Sequence, residues 1–187
     1  MLIDLTVLVT EYASKEVSSN VATNEFGHMG THFDVLDKEF PLSFVKRKGI
    51  VFNVKNIFDE EIDIKHIDLS LVEPEMFVAF YSGFIEKHGY GTKEYFTNHP
   101  HLSNDLIDAL LEKKISIIGV DFAGIRRGSE HPLKDQYCAD RGVFIVENLC
   151  NLGELVQDNK SLACTMHTYP VKFAGMTGLP CRVVTEI

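Results

Sequence analysis

The chain has 187 residues, of which 45% are apolar and 24% are charged, and its formal net charge at pH 7 is −9. This length supports one sizeable hydrophobic core, so we expect a single domain over residues 1–187. The acidic balance, with no basic cluster longer than Lys46-Arg47-Lys48, argues against nucleic acid or an anionic membrane as the main partner.

Targeting signals and cysteine spacing bear on the cellular compartment. No apolar run approaches the ~20 residues that a membrane helix needs, and Asp4 interrupts the N-terminal apolar run that a signal peptide requires. The cysteines, Cys138, Cys150, Cys164 and Cys181, form no C-x-x-C pair. We therefore expect reduced thiols and a cytoplasmic location.

Short β-rich runs recur along the whole chain. They predict strands at 2–9, 50–54, 76–81, 115–120, 143–146, 163–168 and 181–185. The runs at 76–81 and 115–120 are almost continuously apolar, which is typical of strands buried on both faces. The clearest helix is predicted at 104–113, behind the N-cap Ser103, and a second at 133–140. Many strands with few helices indicate an α/β fold with a mixed β-sheet.

Segment 28–34 carries the clearest chemical signal of the chain. It places His28, His32 and Asp34 close together in the sequence, with Gly30 between the histidines. Imidazole and carboxylate are common ligands of zinc, manganese and iron. A straight strand at ~3.3 Å per residue would still separate His28 from Asp34 by roughly 20 Å, so one ion can bind both only if the chain bends, as Gly30 permits. The competing interpretation is a chance grouping in a polar turn.

The same segment resembles the signature H-x-G-T-H-x-D-A-P-x-H-F of the cyclase-like metal-dependent hydrolases, the family of bacterial kynurenine formamidase and isatin hydrolase. Further segments resemble that family in the same order, namely 4–6, 119–121, the G-V-F-I-V-E-N-L run at 142–149, and the C-terminal glycine- and proline-containing run at 169–182. The resemblance covers nearly the whole chain. It implies the family's swivelling β/β/α fold and, by analogy alone, a homo-oligomer.

Two positions depart from the family pattern. The histidine that transfers protons in the family falls on Lys38 here. A metal-binding histidine of the family, seven residues before Gly142, falls on Asp135, with Gln136 beside it and His131 four residues away. Which of these three side chains completes the metal site stays open at this stage.

The resemblance therefore implies metal ligands at His28, His32, Asp34 and Glu147, with Asp135 as a further candidate. Zinc and manganese are the expected ions. The additional carboxylate favours a harder ion, so we hypothesise a shift towards Mn²⁺, although zinc can still compete where it is available.

The acid/base group is the weakest part of this assignment. Lys38 could act as a fixed positive charge beside a developing oxyanion, and Asp37 or Glu39 could act as a base after a one-residue shift of the loop. Because Asp37 and Glu39 flank Lys38, the ammonium form of the lysine should be favoured. The alternative is that 37–39 is a solvated turn.

Other polar residues give weaker signals. Arg126 and Arg127 could bind a substrate carboxylate but are better explained by a surface loop. His99 and His101 flank a proline just before the helix at 104–113 and are better explained by helix entry than by metal binding. The remaining histidines, His66, His88, His131 and His167, are expected to be surface or hydrogen-bonded residues. Phe33, Phe40 and Phe44 could line a substrate pocket, but packing in the hydrophobic core is the favoured interpretation.

The sequence thus predicts a metal-dependent hydrolase of a small molecule with a C–N bond in an amide, formamide or lactam, acting through metal-activated water as the resemblance implies. Arylformamidase is the named family activity. The alternative is a non-catalytic relative that binds metal or a small molecule and has lost turnover.

Overall fold

The computed structural model describes residues 1–9, 25–55 and 57–187. Eight strands are defined in these residues, and the central strands coincide with apolar runs of the sequence. The strands are β1 (Leu2–Asp4), β2 (His32–Asp34), β3 (Lys46–Asn53), β4 (Phe77–Tyr81), β5 (Ile117–Val120), β6 (Phe144–Glu147), β7 (Ser161–Pro170) and β8 (Gly178–Glu186).

The strands form one mixed sheet in the order β1-β8-β2-β6-β5-β4-β3-β7. Strands β3, β4, β5 and β6 run parallel to one another, whereas the other pairs are antiparallel. An additional pairing of β7 with β8 closes a barrel of seven strands, to which β1 is attached. The prediction of a mixed sheet with few helices is confirmed.

Five α-helices accompany the sheet in the described residues. They are α1 (Phe84–His88), α2 (Lys93–Thr97), α3 (Asn104–Glu112), α4 (Glu130–Ala139) and α5 (Leu152–Val156). Helix α3 is where the sequence predicts it, and the hydroxyl of Ser103 accepts the predicted N-cap hydrogen bond from the amide of Leu106 at 3.1 Å. Helix α4 begins at Glu130 instead of the predicted residue 133.

Several other predicted bounds differ from the structure. The first strand ends at Asp4, and beyond it Thr6 forms only an isolated bridge with Leu149. Strand β3 begins at Lys46 because antiparallel pairing with the long strand β7 extends it through a charged stretch. The sequence does not predict the short strand β2 or helices α1, α2 and α5, because these elements are too short to show a clear hydrophobic period.

Side chains of the parallel strands β3 to β6 alternate between two hydrophobic clusters, as strand geometry requires. The inner cluster includes Phe33, Phe77 and Val146 and fills the barrel. The outer cluster combines Ile118 of β5 and Ile145 of β6 with apolar side chains of α3 and α4. The central parallel strands are therefore buried on both faces, as their continuous apolar runs predict.

The longest helix of the described ranges has ten residues, and none of the helices there could cross a membrane. All four cysteines are free thiols.

Candidate metal centre

Strands β2 and β6 place the first part of the site on the outer face of the barrel. Phe33 points into the inner cluster, so its neighbours His32 and Asp34 point outward. In the antiparallel register His32 lies opposite Glu147. The Nε2 atom of His32 is 3.5 Å from Oδ1 of Asp34 and 3.7 Å from Oε2 of Glu147. All of these polar side chains are buried.

His28 joins this group because the chain bends before β2. A short 3₁₀ helix ends at His28, and Gly30 has a φ of 71°, in the left-handed region that glycine favours. The bend brings Nδ1 of His28 to 2.9 Å from Oδ1 of Asp34 and 3.2 Å from Nε2 of His32. The bend that the sequence requires at Gly30 is therefore present.

The imidazoles of His28 and His32 are each oriented by a hydrogen bond at the ring nitrogen that does not face Asp34. Nδ1 of His32 donates to the carbonyl oxygen of Gly30 at 2.9 Å, which leaves Nε2 to face the carboxylates. Nε2 of His28 lies 2.9 Å from the hydroxyl of Thr177, in the turn before β8. Such partners are typical of metal-binding histidines, since they fix the ring and its tautomer.

Helix α4 contributes the second part of the site. Nε2 of His131 is 2.8 Å from Oε1 of Glu147 and 3.1 Å from Oδ2 of Asp135. His131 and Asp135 are four residues apart and so share one helix face. Of the side chains left open by the sequence, His131 and Asp135 both reach the carboxylate cluster, and His131 is hydrogen-bonded there, as one of its two expected placements has it. A signal for the longer helix was available, because Pro132 fits the first turn of a helix that starts at Glu130.

Two groups of metal-binding atoms overlap at one carboxylate. His28, His32 and Asp34 form one group, while Asp34, His131 and Asp135 form the other, and the donor atoms within each group lie within 4.8 Å of one another. Oδ2 of Asp34 and Oδ1 of Asp135 are buried and lack a hydrogen-bond partner in the described part of the chain. Buried unpaired carboxylate oxygens among imidazoles fit a divalent metal ion.

The carboxylates also set the charge of the imidazoles. Burial opposes protonation of His32, but Asp34 and Glu147 outweigh it and raise the pKa of His32 to about 9. Burial likewise opposes protonation of His131, yet Asp135 and Glu147 raise the pKa of His131 to about 11. Burial raises the pKa of the Asp135 carboxyl to about 7. Without metal, the carboxylates are thus compensated by protonated imidazoles, and a bound cation would displace those protons.

Gln136 and the segment 37–39 lie outside this cluster. The ammonium group of Lys38 contacts Oδ1 of Asp37 at 3.0 Å and Oδ1 of Asp140 at 2.8 Å. The amide of Gln136 donates to the same two aspartates. The hydrogen bonds that Lys38 donates to Asp140 and Asp37 raise the pKa of Lys38, so this amine is a poor proton acceptor. Glu39 is exposed.

The arginine candidate has a structural role instead. Arg126 is buried, and its guanidinium contacts Glu61 at 2.7 Å, Glu130 at 2.6 Å and the carbonyl oxygen of Leu102 at 2.6 Å. Four hydrogen bonds thereby hold the guanidinium within the fold, so the side chain of Arg126 is not exposed as a surface loop would have it. The neighbouring Arg127 is exposed.

The remaining weaker candidates are also placed. His101 lies 3.1 Å from Oε1 of Glu61, and His99 is buried at the entry to α3, in keeping with its predicted role there. Phe33 is fully buried in the inner cluster, and Phe40 and Phe44 pack against that cluster. The aromatic residues therefore belong to the core, as expected.

Comparison with known proteins places this geometry in a family. The family model described as "Putative cyclase" matches residues 3–126, which is more than half of the chain. The chain belongs to the cyclase family. A search of curated proteins gives no significant match.

Solved structures share this fold over more than nine-tenths of their length. A potential metal-dependent hydrolase with cyclase activity is 22% identical, with a TM-score of 0.74 over 99% of this chain and 96% of that one. A predicted metal-dependent hydrolase from Bacillus stearothermophilus is 20% identical, with a TM-score of 0.72 over 99% and 97%. Isatin hydrolase A from Labrenzia aggregata is 16% identical, with a TM-score of 0.75 over 100% and 93%.

Helix α4 carries two potential metal ligands. The family resemblance implies an imidazole at residue 135, where this chain has an aspartate, and His131 lies one helical turn earlier on the same helix. Both side chains reach the same buried cluster. The helix period of 3.6 residues permits this, since residues four apart occupy neighbouring places on one face.

Proposed function

We propose that the protein is a metal-dependent hydrolase of a C–N bond in an amide, formamide or lactam. The observation that carries this proposal is the buried cluster of imidazoles and carboxylates on β2, β6 and α4, with an unpaired oxygen on each of Asp34 and Asp135. Membership of the cyclase family and the metal-dependent hydrolases among its structural relatives support it.

His28, His32, Asp34, Asp135 and Glu147 would hold the ion or ions, and His131 would complete the set from the first turn of α4. A bound divalent ion supplies Lewis acidity for a carbonyl oxygen and lowers the pKa of a coordinated water. The chain's own contribution is to fix the donors: the Gly30 carbonyl holds His32, and the antiparallel register holds Glu147 opposite it. Such fixed donors need no rearrangement when charge develops in the transition state.

Zinc and manganese are the proposed ions, with manganese favoured by the number of carboxylates. An Asp135→His variant tests this preference, because it replaces an oxygen donor with nitrogen. We expect the ratio of bound zinc to manganese, after equilibration with equal concentrations of both, to rise in the variant. An unchanged ratio would disprove the argument from carboxylate number.

We propose the type of bond that is hydrolysed and not a particular substrate. One structural relative is an isatin hydrolase, and its name denotes hydrolysis of a cyclic amide. Arylformamides are the other class that the family resemblance suggests. Lys38 or its neighbours Asp37 and Glu39 remain the proposed charged or proton-transferring groups, although the ion pairs of Lys38 with Asp37 and Asp140 give them no support.

Metal content is the first measurement. Protein purified without added metal is analysed by plasma mass spectrometry beside a His28→Ala/His32→Ala variant. We expect one or two ions per chain in the parent and a marked loss in the variant. A parent that stays metal-free even after incubation with Zn²⁺ and Mn²⁺ would exclude a metal-dependent activity.

Activity is then assayed on a panel of an aryl formamide, a simple amide and an isatin-type lactam. The His32→Ala variant is the control, since His32 contacts both carboxylates of the β2–β6 pair. We expect turnover of at least one substrate by the parent and none by the variant. Full activity of the variant would overturn the proposal.

A non-catalytic metal-binding relative is the second candidate. It is favoured by one observation: Lys38 occupies the position of the family's proton-transferring histidine and is paired with two aspartates. Activity that appears in Lys38→His and is absent from the parent would support this candidate. Homo-oligomerisation and a cytoplasmic location remain proposals, the first of which light scattering tests.

A further inference from the structure

Gly124 lies against the imidazole of His131, in the loop between β5 and α4. Its φ is +112°, in a region that side-chain-bearing residues rarely adopt. A β-carbon built at this position would lie 2.7 Å from Cε1 and 2.9 Å from Nδ1 of His131. It would also lie 2.9 Å from the carbonyl oxygen of Arg126. Real β-carbons essentially never approach other heavy atoms closer than 3.0 Å.

Neither neighbour of Gly124 can easily move aside. The ring of His131 is held at Nε2 by Glu147 at 2.8 Å and by Asp135 at 3.1 Å. The carbonyl of Arg126 belongs to a residue whose guanidinium is tied to other parts of the chain. A side chain at residue 124 would therefore collide with the imidazole and strain its contacts with Glu147 and Asp135.

We propose that Gly124 is a positioning residue for His131, and that this pair allows the chain to supply its third imidazole from one turn before the family position. This inference rests on the proposed metal site. The observation behind it is the close approach of Gly124 to the imidazole of His131, which the carboxylates hold in place. Gly124→Ala should therefore act on the metal through His131.

Gly128 provides a matched control in the same loop. It also has a positive φ, +58°, but a β-carbon there would have no heavy atom within 4 Å. Gly128→Ala thus adds a methyl group at a positive φ in the same loop without touching the imidazole, and its backbone strain is smaller because +58° lies in the left-handed region. The part of the Gly124→Ala effect that disappears when residue 131 is alanine comes from the space beside His131.

The test is a double-mutant cycle in which Gly124→Ala is made in the parent and in a His131→Ala background. Metal affinity is measured by titration with Co²⁺ or Zn²⁺. In the parent background we expect Gly124→Ala to weaken binding about tenfold or more, the range seen when support of a metal ligand is lost. In the His131→Ala background it should cause no further loss, and Gly128→Ala should cause none in either.

Thermal unfolding of the metal-free proteins gives a second readout. Because alanine at 131 removes the collision, Gly124→Ala should lower Tm less in the His131→Ala background than in the parent. This comparison remains possible if Gly124→Ala alone folds poorly, because the double variant should then fold better. Equal effects in both backgrounds, on affinity or on Tm, would overturn the inference.

The two proposals fail in different ways. A parent that binds no metal while the Tm values remain coupled would overturn the proposed function and leave the packing of Gly124 against His131 supported. Metal binding that is lost in His131→Ala but unchanged in Gly124→Ala would overturn the positioning role alone.

Discussion

Asp34 and Asp135 each keep one buried carboxylate oxygen without a hydrogen-bond partner within the described ranges. Leaving such an atom unpaired typically costs about 1–3 kcal/mol, and more when the group is charged. A chain selected only for stability would gain by replacing these groups with apolar ones. At the scale of single residues, the cluster is therefore best explained by a bound cation.

His99 is a buried imidazole with the opposite electrostatics. It is 3% exposed, stacks on Phe122 with ring centroids 5.9 Å apart, and donates Nδ1–H to the carbonyl oxygen of Pro100 at 2.8 Å. Burial lowers the pKa of His99 to about 4. The folded protein therefore favours the neutral ring.

This shift predicts a loss of stability in mild acid. Below pH 6.5 the imidazole of His99 is protonated in the unfolded chain, whereas in the folded protein it stays neutral down to about pH 4. The free energy of unfolding should therefore fall by about 3 kcal/mol between these two pH values. Urea unfolding of chelator-treated parent and His99→Asn protein measures it. The free energy of unfolding should depend less on pH in the variant than in the parent. The same pH dependence in both proteins would contradict the prediction.

At the scale of secondary-structure elements, register decides which donors meet. The antiparallel pairing of β2 with β6 sets His32 opposite Glu147, and α4 lies beside them with His131 and Asp135 on one face. Since the helix begins at Glu130, three residues earlier than the sequence pattern indicates, His131 belongs to it.

Helix α3 offers a test of how local signals determine an element. The Ser103 hydroxyl accepts the hydrogen bond of the Leu106 amide and donates to Asp63 at 3.0 Å. Ser103→Ala should therefore lower the free energy of unfolding by about 1 kcal/mol, the usual effect of losing an N-cap. Ser103→Thr, which keeps the hydroxyl, should stay close to the parent in urea unfolding. Equal stability of Ser103→Ala and the parent would exclude the cap as a stabilising contact.

At the scale of the whole molecule, closure of the barrel by β7 and β8 sets how tightly the inner cluster packs. A β-carbon at Gly119 would lie 2.5 Å from Cε1 of Phe77 and 2.7 Å from Cδ1 of Leu149, both fully buried. At Gly49 the corresponding closest atom is Cγ of the flexible Met166, at 2.6 Å. The two glycines therefore face rigid and adaptable neighbours respectively.

The loss of stability caused by an added methyl group should differ between these two glycines. Gly119→Ala should lower the free energy of unfolding by about 1–3 kcal/mol, because an aromatic ring and a branched side chain must shift within a closed barrel. Gly49→Ala should cost less, since Met166 can change rotamer. Urea unfolding of the two variants compares them directly, and a larger loss for Gly49→Ala would contradict this account of the core.

The sequence by itself determined those features that depend on neighbouring residues. These include the apolar central strands, the helix behind Ser103, and the bend at Gly30 that His28 and Asp34 need in order to meet. The family resemblance added Glu147 and Asp135, because motif order survives where overall identity is low. Each of these signals lies within one short segment.

Only the tertiary structure decided which distant side chains share the cluster. It placed His131 against Glu147, tied Arg126 to Glu61, and paired Lys38 with Asp140. No pattern within a segment encodes these contacts, because they depend on how α4 packs against β2 and β6 and on where its first turn begins. A shift of one helical turn changes little in the sequence pattern, yet it decides which imidazole reaches the carboxylates.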